Sequence, residues 1–246
     1  MKILLPPSET KHPGGDGAPL DVGSLAFPTL RPQRESVIDA LVELSGDEEV
    51  AASVLKLSVR QRGDVEHNRR LRDAPTMPAA DRYTGVLYDA LDARSLSAAA
   101  RRWLGAHVVI HSAPFGPVGA LDLIPAYRLA AGTSLPGVPA LRRHWAEATS
   151  AALGECDAIL DLRSEAYVAL GPVPGSVPSA YVRVVTDQGK ALNHFNKKAK
   201  GELVRALAEQ RPKTKTLEGF RRWAAANGIA LRTTTDVRVW ELVTGN

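Results

Sequence analysis

A chain of 246 residues suits one large domain or two small ones, and it can bury enough surface to fold without a disulfide or metal staple. Hydrophobic residues make up 44% and charged residues 24%, which places the chain among ordinary globular proteins rather than disordered ones. Cys156 is the only cysteine, which excludes an intramolecular disulfide and a cysteine-rich zinc site, and a net charge of +4 permits polyanion binding without requiring it.

In chain order, residues 2–5 read as a short buried strand stopped by Pro6 and Pro7. This opening apolar run is too short for a signal peptide or membrane span, and no later stretch reaches about 18 uninterrupted apolar residues. With a single cysteine that reads as a small buried residue, the expected location is a reducing cytoplasm. Residues 12–19, rich in Gly and Pro, are a loop. Val37, Ile38, Leu41, Val42 and Leu44 repeat at helical spacing within 34–44, and residues 48–57 repeat the pattern. Residues 64–72 look too polar for a core element and read as a helix edge or loop.

A helix is expected after Gly85 within 78–92, and another over 95–104. Residues 107–112 read as a central strand, followed by a turn-rich run over 113–119. An amphipathic helix over 139–153, a buried strand over 158–162, a strand over 181–185, a helix over 197–210 and an alternating strand over 238–243 complete the pattern. Strands and helices interleave, so the expectation is an α/β (α+β) fold: a compact single domain over 1–246 around a mixed central sheet.

Positive charge gathers in the last third. Lys197, Lys198 and Lys200 stand at the expected start of a helix, where cations oppose the helix dipole and an anionic partner would offset the cost. With Arg205, Arg211, Lys213 and Lys215 they form a patch able to contact several phosphates, or an ordinary solvated face. Asn193, His194, Phe195 and Asn196 precede the lysines and offer hydrogen bonds and a stacking surface, while Asn196 equally suits a helix N-cap.

A second group lines a possible cleft. Ser8, Glu9, Thr10 and Lys11 follow the first strand, Ser112 ends the central one, and Asp161, Arg163, Ser164, Glu165 and Tyr167 follow another, which is where α/β proteins place ligand contacts. Asp161 and Glu165 could act as acid and base, and Ser164 could instead cap a helix. Asp122, Tyr127 and Arg128 offer a guanidinium fork for an anion, or an internal Asp122–Arg128 pair. The six histidines are scattered, and His107 and His111 would lie about 13 Å apart along a strand, so no metal and no cofactor is expected. Walker, nucleophile-elbow and dinucleotide motifs are absent from the sequence.

Several separated blocks resemble the YaaA family (DUF328, UPF0246). They are the opening Leu4-Leu-Pro-Pro-Ser-Glu-Thr-Lys11, Tyr83-Thr-Gly85, the long run from Ser112 to Leu129, Asp161-Leu-Arg-Ser-Glu-Ala-Tyr167, and Asn193-His-Phe-Asn-Lys-Lys-Ala-Lys-Gly201. They occur in family order along nearly the whole chain. The resemblance implies a compact α/β protein that binds double-stranded DNA through an element like a helix-hairpin-helix and limits iron-linked damage in the peroxide response. An enzyme acting on a nucleobase, nucleotide or other phosphorylated small molecule is the alternative. The chain departs from the family at Ser112-Ala-Pro-Phe-Gly116, where the family resembles Ser-Gly-Leu-Tyr-Gly. Pro114 lacks an N–H that a phosphate-binding hairpin would use, which leaves Gly116 and Gly119. In the opening block Lys11 follows Thr10, whereas the family lysine precedes its threonine.

Overall fold

Ile3, Leu4 and Leu5 are apolar without alternation, as a strand covered on both faces must be, and in the computed structural model they form β1 (Lys2–Leu5), an interior strand of the sheet. Residues 1–189 and 194–244 are described, with the backbone alone for His194 and Phe195. A long crossover follows, through α1 (Arg31–Leu44), α2 (Glu48–Val54), α3 (Val65–Arg69), β2 (Met77–Pro78), α4 (Ala79–Arg82), α5 (Val86–Leu91) and α6 (Ala98–His107), to β3 (Val108–Ser112). The chain doubles back as β4 (Gly116–Gly119) and continues through β5 (Leu123–Ile124) and α7 (Leu141–Leu153) to β6 (Ile159–Asp161). Then come α8 (Glu165–Val168), β7 (Ser179–Val185), α9 (His194–Gln210), α10 (Leu217–Ala226), β8 (Leu231–Thr233) and β9 (Val239–Val243).

The main sheet has the order β4-β3-β1-β6-β7-β9-β8. Strands β3, β1, β6, β7 and β9 are parallel, and β4 and β8 close the edges antiparallel. β2 and β5 form a separate antiparallel pair. The fold is therefore mixed α/β. From β1 the chain moves to β3 on one side, then crosses to β6 on the other, so the strand order reverses between β1 and β6. At such a reversal the loops leaving the two carboxyl ends diverge and open a crevice. Leu5 and Ile3 face the larger core with Val108 and Ile110, while Leu4 packs with Val109, Leu153 and Ile159 on the opposite face. Among the described residues no helix is long and apolar enough to cross a membrane.

Several local expectations change. Residues 64–72 contain α3, whose Val65 and Asn68 are buried. The polar Asn68 is tolerated inside because its amide exchanges two hydrogen bonds with the Arg128 backbone, at 2.8 and 2.7 Å. The run 113–119 is not all turn: Gly116 to Gly119 pair with β3 as a buried strand. His107 ends α6 rather than opening β3, and it stacks on Trp103 with centroids 4.3 Å apart. α9 begins at His194, before the lysines. α10 and β8 had no counterpart in the sequence pattern.

Candidate functional site

The loop leaving β1 is folded around the half-buried amine of Lys11. Lys11 Nζ donates to the carbonyl oxygens of Ser8 (2.9 Å) and Glu9 (3.3 Å), and it stands 4.1 Å from the Tyr127 ring centroid and 5.6 Å from that of Tyr83. The Tyr83 and Tyr127 hydroxyls share a hydrogen bond of 2.8 Å, and Tyr88 donates to the Pro6 carbonyl at 2.7 Å. Burial pulls the Lys11 ammonium down to about 7, against the nearby Glu9 charge. The same burial pushes the hydroxyls of Tyr83, Tyr127 and Tyr167 upward. Arg128 reaches the Glu9 carboxylate at 3.6 Å, and Ser112 accepts the Phe115 N–H at 3.0 Å. Lys11, Ser8, Tyr127 and Arg128 are thus brought together around one loop.

At the end of β6, Asp161 and Arg163 are both buried and joined through two hydrogen bonds, Nε to Oδ1 at 2.9 Å and Nη2 to Oδ2 at 2.6 Å. Arg163 Nη1 also meets His111 Nδ1 at 2.8 Å. Burial, with the guanidinium alongside, pushes the His111 imidazolium well below the usual range. Ser164 occupies the position that caps α8, but its side chain makes no capping bond.

α9 packs against α5, α6 and β7. Its approach depends on Gly201, where a Cβ would lie 2.2 Å from the Leu87 carbonyl oxygen of α5. That approach seats Lys200 in the interior, 5% exposed and 5.9 Å from the Tyr181 ring centroid. Burial pulls Lys200 down to about 8, partly offset by the charge of Asp161. A cavity of about 420 Å3 opens beside it, lined by Ser164, Glu165, Tyr181, Asn196, Lys197 and Lys200. An adjoining cavity of about 400 Å3 shares Glu165 and Tyr181 and adds Arg142 and Arg183. Among the described residues, Arg142, Arg183, Lys197 and Lys200 take part in no ion pair.

The basic block of the sequence is therefore divided. Residues three apart on a helix share a face, so Lys197 and Lys200 both reach the cavity, while Lys198 points away and pairs with Glu202 at 3.5 Å. Arg205 is a staple: it meets Glu209 at 3.0 Å, Asp92 at 3.5 Å and the Leu91 carbonyl at 3.1 Å. Asn196 lies inside the helix and so cannot be its N-cap; its Oδ1 is buried and has no partner among the described residues. Asn193 lies outside the described residues.

Two of the cleft candidates lie elsewhere. Gly116 is buried with φ +62°, and a Cβ there would sit 2.8 Å from the Trp145 ring, so the turn after β3 faces the core and its glycine serves packing. Asp122 accepts the N–H groups of Ala26 (2.7 Å) and Gly119 (2.8 Å), and Arg128 turns to Glu9 and Asp64, so the internal Asp122–Arg128 pair gives way to two separate sets of contacts. Sequence reading overlooked Tyr181, Arg183 and Arg142. Tyr181 and Arg183 stand two apart on β7, a period that places them on one face and could have marked them. Among the described residues, no three His, Cys, Asp or Glu side chains are grouped to hold a metal ion.

The sequence profile described as "Peroxide stress protein YaaA" matches residues 1–228. The chain is 49% identical to a UPF0246 protein of Corynebacterium efficiens over 225 residues, 89% of each chain. It is 47% identical to a UPF0246 protein of Streptomyces coelicolor over 215 residues, covering 84% of this chain and 82% of the relative. A UPF0246 protein of Corynebacterium glutamicum is 42% identical over 237 residues, 94% of each. The chain belongs to the peroxide stress protein YaaA family, whose relatives here carry the name UPF0246.

Proposed function

We propose that the chain acts in the cytoplasm as a DNA-binding protein of the peroxide response, limiting oxidative damage linked to iron by occupying the DNA. The observation that carries this reading is the groove formed by the two adjoining cavities. Arg142, Arg183, Lys197 and Lys200 border it, Tyr181 lines both cavities, and Glu165 is the one carboxylate among their described lining residues. Cations without carboxylate partners leave their charge available to phosphates, and an aromatic wall accepts a base or sugar face. The helix-hairpin-helix-like element belongs to the same proposal, with α9, residues 211–216 and α10 as the helix pair that would supply it. Titration with duplex, single strand and mononucleotide at two salt concentrations tests it. The expected result is duplex binding that weakens steeply with salt; no binding to any duplex at low salt removes the reading.

A second reading, an enzyme acting on a nucleobase, nucleotide or other phosphorylated small molecule, is favoured by one observation. Two lysines with lowered pKa lie beside the reversal of strand order: Lys11 in the loop leaving β1, and Lys200 of α9, which lines a cavity with Pro6, just past β1, and Ser164, just past β6. Turnover of a phosphorylated substrate that is lost in Lys200→Met supports it, and unchanged turnover in that variant removes it.

A further inference from the structure

Lys200 combines burial, a cavity and, among the described residues, no ion-pair partner. Its side chain is almost wholly covered by protein, yet it lines an open space of about 420 Å3. Asp161, the carboxylate whose charge acts on it, has both oxygens engaged by Arg163. With a pKa of about 8, about a tenth of such side chains are free amine at pH 7, far more than for a solvated lysine. A desolvated free amine facing a cavity is a nucleophile for carbonyl carbon. Lys11 differs: its N–H groups are donated to the Ser8 and Glu9 carbonyls and the Tyr127 ring lies over it.

The rest of the wall says what kind of carbonyl compound fits. Lys197, one helical turn before Lys200, is exposed at the same cavity and supplies a fixed positive charge. Ser164 offers a hydroxyl, Asn196 a buried carbonyl oxygen with no partner among the described residues, and Glu165 a carboxyl group. A compound with an aldehyde carbon beside one lysine and a phosphate beside the other uses all of these.

We propose that this cavity binds phosphate-bearing aldehydes and that Lys200 joins them as an imine. The inference rests on the reading of the chain as an enzyme for phosphorylated small molecules and gives that reading a substrate class. The Nζ lone pair forms a bond to the aldehyde carbon, and a proton passes from nitrogen to oxygen to give a carbinolamine. The hydroxyl then leaves as water, taking a proton relayed from solvent by Glu165, and the carbon–nitrogen double bond forms. No electrons are gained or lost, and hydrolysis reverses the sequence. Such an aldehyde has two sources: the ring-opened sugar of an abasic site in DNA, flanked by phosphates, and a free sugar phosphate.

The test uses the full chain with sodium cyanoborohydride, which reduces an imine to a stable amine. One arm holds a duplex with a single abasic site, the second glyceraldehyde 3-phosphate, and the third unphosphorylated glyceraldehyde. Peptide mass mapping then locates the adduct. The expected result at pH 7 is an adduct on Lys200 at least tenfold faster than on Lys198, slower with unphosphorylated glyceraldehyde, and lost in Lys200→Arg. Mapping the unaltered chain serves even if that variant fails to fold, because the exposed lysines are an internal reference. No adduct, or adducts confined to Lys197 and Lys198, overturns the proposal. An adduct from the triose phosphate but not from the abasic duplex upholds the imine site and excludes DNA as its source. A Lys200 adduct without salt-dependent duplex binding removes the groove reading alone.

Discussion

Arg163 holds Asp161 through both carboxylate oxygens, and Lys200, on which the charge of Asp161 acts, forms no ion pair among the described residues. A buried bidentate pair satisfies its members but adds little net stability, whereas removing one member strands the other. Arg163→Met is therefore expected to destabilise the fold by about 3–5 kcal/mol, and Asp161→Asn combined with Arg163→Met by less than Arg163→Met alone. Urea unfolding of both variants measures this. A loss below about 1 kcal/mol in Arg163→Met would mean that the pair is not as enclosed as its geometry states.

Lys11 and Lys200 give stability a distinct dependence on pH. Both fold with pKa values below the ordinary 10.5, about 7 and about 8. Between those values and 10.5 the unfolded chain binds more protons than the folded one, so stability contributed by these sites rises as pH rises through that window. Below about 7 both lysines are charged in either state, and the burial penalty is present in full. The difference in unfolding free energy between the unaltered chain and Lys200→Met should change from pH 8 to 10.5 in favour of the unaltered chain. For Lys11→Met the change should begin near pH 7. Profiles that stay parallel across the window would contradict the burial of these amines.

The position of α9 depends on an absent side chain. At Gly201 a Cβ would meet the Leu87 carbonyl oxygen at 2.2 Å and Ala90 Cβ at 2.9 Å, whereas Gly63 has nothing within 4 Å. Gly201→Ala should cost about 1–3 kcal/mol by forcing α9 away from α5, and Gly63→Ala should be close to neutral. Thermal unfolding midpoints of the two variants compare them directly. Equal midpoints would show that the helices can separate freely.

Much of this arrangement was legible in the residues. Apolar runs located β1, β3 and β6 to within one residue, because strands covered on both faces need no alternation to be recognised, and the alternating run over 238–243 located β9 as closely. The polar segments at their ends, Ser8 to Lys11 and Asp161 to Tyr167, were correctly placed at carboxyl ends of parallel strands. What sequence could not supply was direction. Lys197, Lys198 and Lys200 look alike in a row, and only the helix phase and the Gly201 contact send two of them to a cavity and one to Glu202. Tertiary satisfaction was equally invisible: Asn68 appears as a surface residue until the Arg128 backbone is brought to it. Gly116 looked like a ligand-binding glycine for the same reason, since Trp145 lies far along the chain.

That division of the basic block also decides which charges matter for binding a polyanion. Each cation that contacts a phosphate displaces a counter-ion, so its loss reduces the slope of log affinity against log salt by about 0.9. Arg142, Arg183 and Lys197 border the groove and form no ion pair among the described residues. Replacing each with alanine should lower duplex affinity and reduce that slope by about one unit. Lys198 is tied to Glu202 across one helical turn, so Lys198→Ala removes a charge already partly compensated and should leave the slope nearly unchanged. Fluorescence anisotropy of a labelled duplex from 50 to 200 mM salt, roughly the range over which such contacts weaken, separates the four variants. A larger slope change for Lys198→Ala than for Arg183→Ala would move the DNA path off the groove and onto the outer face of α9.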